Sequence, residues 1–347
     1  MINANLNYNA LEKDARFDIN DFTPQQIETA GLEKTGRQMK IFRVILYFFG
    51  GFTAFGFLMN LVGLFERGGD SGWSFSQIFM QTIWLVLIIL FIVKAPRWFL
   101  RTKLRLLKFA QDNGLKYDAR VRKPTEDLMI FKLGHSQKIS DIISWPNQEN
   151  HLGRFTYTVG HGKNQQTYTY SYVAIKLPRR LPHLFINSKK NMINPQISGY
   201  KVEKLKLEGD FPKTFVVYAP PQYRVDALQV LAPNVMASLL DHGWQYDYEI
   251  IDDWLYIFSG SYSFNSKKTM QSLLESAARL APEISHQAKN YKDAATQTFS
   301  ENVIAESGAR IEKKKWSRQM WIMVIVVTLS ILYMIFNLFW GFSQIDL

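Results

Sequence analysis

The chain of 347 residues reads as an α+β protein: three transmembrane helices, plus a cytoplasmic domain built on a mostly antiparallel sheet with packed helices. Three observations predict this. Three apolar runs approach or exceed the length that crosses a bilayer, basic residues gather at one end of each run, and the sequence between the second and third runs alternates strand and helix patterns.

The first run, Ile41 to Phe65, is about 25 residues long with Arg43 and Asn60 as its strongly polar members, against roughly 20 residues for a spanning helix. A short loop separates it from a second run, and together 41–100 reads as a hairpin with spans at about 41–65 and 76–98. The third run, 320–342, has Trp321, Phe339 and Trp340 near its ends, as an interfacial aromatic belt predicts. Basic residues near a span are retained on the cytoplasmic side. Arg97, Arg101, Arg105 and Lys108 after the second run, and Lys313, Lys314 and Lys315 before the third, therefore predict a membrane-surface collar. This places segment 1–40 and the region after residue 100 in the cytoplasm, at the inner face of the cell membrane, with the C-terminus outside.

The formal net charge of +11 sits largely in these collars, so topology and attraction to anionic lipid account for it ahead of nucleic acid. There is no cysteine, which excludes disulfides, thiolate catalysis and cysteine-ligated zinc. The first forty residues are polar and mixed in charge, and carry no pattern of a cleavable signal peptide.

Thr23-Pro24 predicts a helix start, with threonine as cap and proline in the first turn. After the second run, 97–112 continues in helical register, with Leu100, Leu104 and Leu107 on one face and Arg101, Arg105 and Lys108 on the other; Asn113-Gly114 stops it. That helix reads either as a stalk prolonging the span or as an amphipathic lipid-binding surface. The domain proper is expected over 101–290, followed by a helical linker over 291–319. Phe155 to Val159 and Gln166 to Leu177 are strand-like and flank a Gly160 to Asn164 turn, a hairpin in which Tyr168, Tyr170 and Tyr172 share one face. Cross-strand packing is the commoner use of such rings, base stacking the rarer one.

Further strands are expected near His183 to Ile186, Tyr200 to Leu207 and Thr214 to Tyr218. A helix from Asp226 to His242 must restart at Pro233 and close at Gly243. Tyr246 to Ile251 and Trp254 to Phe258 read as two strands joined by an Asp252-Asp253 turn. A long helix from about Ser266 carries the apolar stripe Met270, Leu273, Leu274, Ala277, Leu280, Ala281 and Ile284, and helical character is expected to continue through Gln287 to Ile311.

The block from Leu207 to Pro220, with Asp226-Ala227-Leu228 and Ala232-Pro233-Asn234-Val235-Met236 after it, resembles the central part of a family of bacterial membrane proteins of unknown function. The resemblance implies a transmembrane hairpin followed by a cytoplasmic α+β domain, and it implies no activity.

Catalytic signatures are missing from the sequence. Gly160-His161-Gly162-Lys163 lacks the spacing of a phosphate loop, and the six histidines show no metal-ligand spacing. No cofactor is expected. The reading this favours is a non-enzymatic interaction module at the inner leaflet, with the lipid bilayer and a protein on the same membrane as partners and no nucleic acid. The alternative is a membrane enzyme or transporter accessory subunit with its site between spans and domain.

Overall fold

A computed structural model describes residues 5–66, 100–191, 197–260, 266–293 and 302–314, scattered positions over 79–87, residues 264 and 295, and most of 323–335. Its centre is a seven-stranded antiparallel sheet. The strands are β1 (Lys116–Asp118), β2 (His135–Ser144), β3 (His151–Val159), β4 (Gln166–Ser188), β5 (Glu203–Lys204), β6 (Phe215–Ala219) and β7 (Tyr246–Ser259). Every other strand is arranged around β4. Ser171 to Ala174 pair with both β3 and β7, and Phe185 and Ile186 pair with both β6 and β7. So β7 runs along one edge of β4, while β3 and then β6 share the other.

Two strands predicted separately are one. The sequence places a strand near His183 to Ile186, but β4 runs on from the hairpin through Pro178, with register shifts between Lys176 and Leu184. Proline is tolerated where the ladder is already interrupted. Nor is Asp252-Asp253 a hairpin turn. Strand β7 continues through it, Asp252 taking a left-handed φ of 53° opposite Leu181, a kink where β4 is irregular.

The helices are α1 (Pro24–Thr29), α2 (Glu33–Glu66), α3 (100–112), α4 (Phe211–Thr214), α5 (Arg224–Val230), α6 (Pro233–His242), α7 (Lys267–Asn290) and α8 (Glu306–Ala309). Local chemistry sets their ends as expected. Thr23 and Gln26 form a reciprocal capping box at α1, Pro233 opens α6, and the backbone N–H of Gly243 closes α6 on the Leu239 carbonyl. Gly114 ends α3 with a φ of 65°, a conformation that costs glycine nothing. Helix α7 buries the predicted stripe from Met270 to Ile284 and ends at Asn290; among the described residues beyond it, the expected helical character is found in the short α8.

Each sheet face carries a core. Val173, Ile175, Leu184, Ile186, Ile250 and Ile257 face α3 and α5 to α7. On the opposite face, Phe155, Tyr172, Tyr256 and Phe258 pack around Phe131 of a loop, with ring centroids 4.7 to 6.1 Å from it. Tyr157, Tyr170 and Tyr172 of the hairpin belong to this second core, and Tyr168 is exposed beside it. Tyr170 and Tyr172 are buried, and Tyr157 stacks on Tyr168 at 5.4 Å and Tyr170 at 5.8 Å, the cross-strand packing weighed above. Gly153, paired with Tyr172, lets that ring lie across β3: a Cβ there would meet the ring at 2.7 to 2.8 Å.

One expectation is overturned. Among the described residues no helix is long and apolar enough to cross a membrane, so the three transmembrane helices are not supported. The span expected at 76–98 lies largely outside the described residues, and about half of that expected at 320–342 does.

Candidate functional site

The N-terminal segment, read from sequence as a lead-in, is built into the first core through Tyr8, Ala10, Leu11 and Phe22. It crosses the face of α3 opposite the leucines. Leu100, Leu104 and Leu107 meet the core as the helical register predicts, but the arginine face is covered too, with Phe109 packing on Tyr8 at 5.5 Å. Arg105 is only 8% exposed, its Nε donating to the Ala10 carbonyl at 3.1 Å and its Nη2 to that of Glu12. Burial, and then the like charge of Arg101, lowers the Arg105 pKa. Arg101 donates to the Lys13 carbonyl at 2.6 Å. Below them, Asn113 and Asn7 exchange side-chain and backbone hydrogen bonds at 2.6 and 2.9 Å.

The predicted collar is thus divided. Arg101 and Arg105 are committed to backbone carbonyls, and Lys108 pairs with Asp112 at 2.7 Å on an exposed helix turn. Lys313 lies 5.9 Å from the centre of the Tyr200 ring, and the Lys314 backbone N–H bonds to Gly199. Arg97 and Lys315 lie outside the described residues. Sequence reasoning missed this because hydrogen bonds from arginine to a distant backbone leave no local pattern. The apolar Leu6, Tyr8 and Leu11 in an otherwise polar segment were the available signal.

Between this segment and the first turns of α7 lies a groove of about 820 Å³, within the size range of ligand sites. Leu11, Glu12 and Lys13 form one wall; Lys267, Lys268 and Gln271 are on the other. Carbon atoms make up most of its exposed lining, although Leu11 is the apolar residue there and the other lining residues are polar or charged. Lys267 bonds to Glu12 at 2.8 Å, and Glu275 accepts from Gln271 at 2.8 Å. Among the described residues neither Lys13 nor Lys268 has an ion-pair partner. Beneath the groove, burial and then the charge of Glu275 push Tyr8 up to about 12, so its hydroxyl stays protonated. A second cavity of about 430 Å³, between α1, α3 and β1, carries Asp118 beside Arg120 and Arg122. Burial opposes ionisation of Asp118, but the two guanidinium groups prevail and hold it below the usual carboxylate range.

The deeply buried ionisable groups are spent on packing. His183 and Glu249 are 2.9 Å apart, and both bond to backbone groups. Asp141, at a bulge of β2 with a φ of 51°, accepts from Tyr117 at 2.7 Å and forms an ion pair with Arg154 at 2.5 Å. Asp293 accepts from Tyr223 and the Ala305 backbone. Among the described residues no group of three His, Asp or Glu side chains could hold a metal ion.

Asp247 is different: burial pushes its carboxyl well above the usual carboxylate range, against the opposing pull of the Ser188 N–H and the Asn191 amide. A carboxyl with a raised folded pKa contributes stability that is complete below its unfolded value and lost as pH rises through the folded one. Asp247→Asn is therefore expected to leave stability unchanged in acid and to raise it at pH 7 and 9, flattening the profile of urea unfolding. A variant destabilised at pH 9 would contradict the assignment.

No family model and no curated protein matches this chain. Among solved structures, the mycobacterial trehalose monomycolate transport factor A, TtfA, is similar over 53% of this chain and 94% of its own, with 9% identity and a TM-score of 0.36. A likeness at that level carries neither fold nor function across.

Proposed function

We propose that this protein is a non-enzymatic interaction module held against a lipid bilayer at the inner face of the cell membrane, where it presents its α+β domain to proteins on the same surface. One observation carries the reading: the apolar surface of α2. Phe48 is 73% exposed, Phe52 72%, Val44 65% and Phe55 62%. Contiguous apolar surface of this kind is not left in water. Residues 323–335 present more of it, with Met323 at 62% and Tyr333 at 70%. Holding the domain near a surface raises its effective concentration toward other surface-bound proteins and needs no catalytic residue. The commitment of the buried ionisable groups to backbone partners supports the same reading.

Flotation of the full chain with phosphatidylcholine vesicles tests it. The wild type is expected to float and Phe48→Asp/Phe52→Asp to remain in the dense fraction, with the domain's thermal transition unmoved because neither ring packs on the core. Equal flotation of both, or a wild type that stays monodisperse without lipid or detergent, would overturn the proposal.

A further inference from the structure

We infer that the groove between the N-terminal segment and α7 is a binding site for the headgroup and upper acyl chain of an anionic lipid. This rests on the bilayer association proposed above and names the molecule that one site would take. The argument is one of matched chemistry. The groove offers a lining of mostly carbon surface with cations among its residues, and at about 820 Å³ it is large enough for part of an amphiphile. Its charges do not cancel internally. Glu12 is taken by Lys267 and Glu275 accepts from Gln271, whereas Lys13 and Lys268, which both line the groove, have no ion-pair partners among the described residues, so three lysines stand against two carboxylates there. A ligand with one anionic end and one apolar end satisfies both features. A zwitterionic headgroup would bring a second cation to the lysines, and free phosphate would leave the apolar wall in water.

The wall is also held in place before any ligand arrives. Arg105 and Arg101 fix the carbonyls of Glu12 and Lys13, so the segment is not ordered at the ligand's expense. On the opposite side Ser272 is fixed by Tyr246 and Gln245 at 3.0 Å each.

Two measurements on the full chain keep the groove and the bilayer reading separable. In the first, dihexanoyl phosphatidylglycerol below its micellar concentration is added, and amide exchange of 266–275 is followed; no bilayer is involved. Protection is expected, with a concentration dependence shifted about thirty-fold in Lys13→Glu/Lys268→Glu, since each lysine near an anionic lipid contributes about a factor of five. Equal protection by dihexanoyl phosphatidylcholine or by inorganic phosphate, or an unshifted double variant, would overturn the site. In the second, the double variant is floated on phosphatidylcholine vesicles with and without phosphatidylglycerol. It should keep the flotation that α2 provides and lose the added retention due to the anionic lipid. Loss of flotation on both vesicle types would instead assign the lysines to general membrane attachment and remove the groove as a distinct site.

Discussion

Replacing Glu249 with alanine is expected to cost the domain about 3 kcal/mol or more, because it leaves three buried donors without their acceptor at about 1 to 3 kcal/mol each. Glu249 is fully buried on β7 and accepts three hydrogen bonds, from Met129 N–H at 2.6 Å, Ile130 N–H at 3.4 Å and His183 Nε2 at 2.9 Å. The tautomer of His183 follows from its other nitrogen. Ile311 N–H points at Nδ1 from 2.9 Å, so Nδ1 is the acceptor and the ring proton sits on Nε2, where it is donated to the carboxylate. One carboxylate thus fixes the loop that carries Phe131 and, through the imidazole, the segment that follows α8. Glu249→Gln can keep an amide oxygen where Oε1 accepts from Met129 N–H and His183 Nε2, and turns its N–H₂ only toward the Ile130 N–H at 3.4 Å, so it is expected to recover much of the loss. Urea unfolding gives the magnitude. Amide exchange gives the signature, because 128–133 and 310–312 should lose protection together in Glu249→Ala, and 310–312 alone in His183→Phe. A loss below about 1 kcal/mol with Ile311 still protected would show that packing, not the carboxylate, holds these segments.

Which parts of this arrangement were legible in sequence follows from the range of the interactions. The hairpin around Gly160 to Asn164, the capped start at Thr23, the break at Pro233 and the stripe on α7 depend on residues within one or two turns of each other, and each forms as read. Asp252-Asp253 did not, because an acidic pair between two apolar runs looks the same whether it turns or kinks. What decides is Arg310, which bonds both oxygens of Asp252 from 58 residues away. The continuity of β4 through Pro178 was hidden for the same reason, since β7 must be in place before the interruption can be recognised as a bulge. The membrane spans rest on the length of apolar runs, their basic collars and an aromatic belt, and among the described residues no helix is long and apolar enough to cross a membrane. At the candidate site, the lysines of α7 were never singled out. Nothing in 266–275 marks a groove until the N-terminal segment is laid across from it, and that placement depends on Arg105.

Arg105→Ala is accordingly the second large effect expected. Hydrogen bonds to a charged group contribute about 1.5 to 3 kcal/mol net, and Arg105 makes two, to the carbonyls of Ala10 and Glu12, in a setting where water does not replace the guanidinium freely. The segment should come away locally without unfolding the sheet, because Leu100, Leu104 and Leu107 hold α3 to the core from its other face. Arg105→Lys is expected to restore little, since a single ammonium cannot place two N–H groups on two successive sites of a turning backbone as the planar fork does. Trypsin reads the result directly. Cleavage after Lys13 and Arg16 should accelerate by roughly ten- to a hundred-fold in Arg105→Ala, the open fraction rising with the lost free energy, while α7 stays resistant. Phosphatidylglycerol binding at the groove should fall in parallel, because Leu11, Glu12 and Lys13 would no longer stand opposite Lys267 and Lys268. Unchanged proteolysis after Lys13 would mean that Tyr8, Leu11 and Phe22 anchor the segment by burial alone. Arg105 would then be a bystander to the wall it bonds.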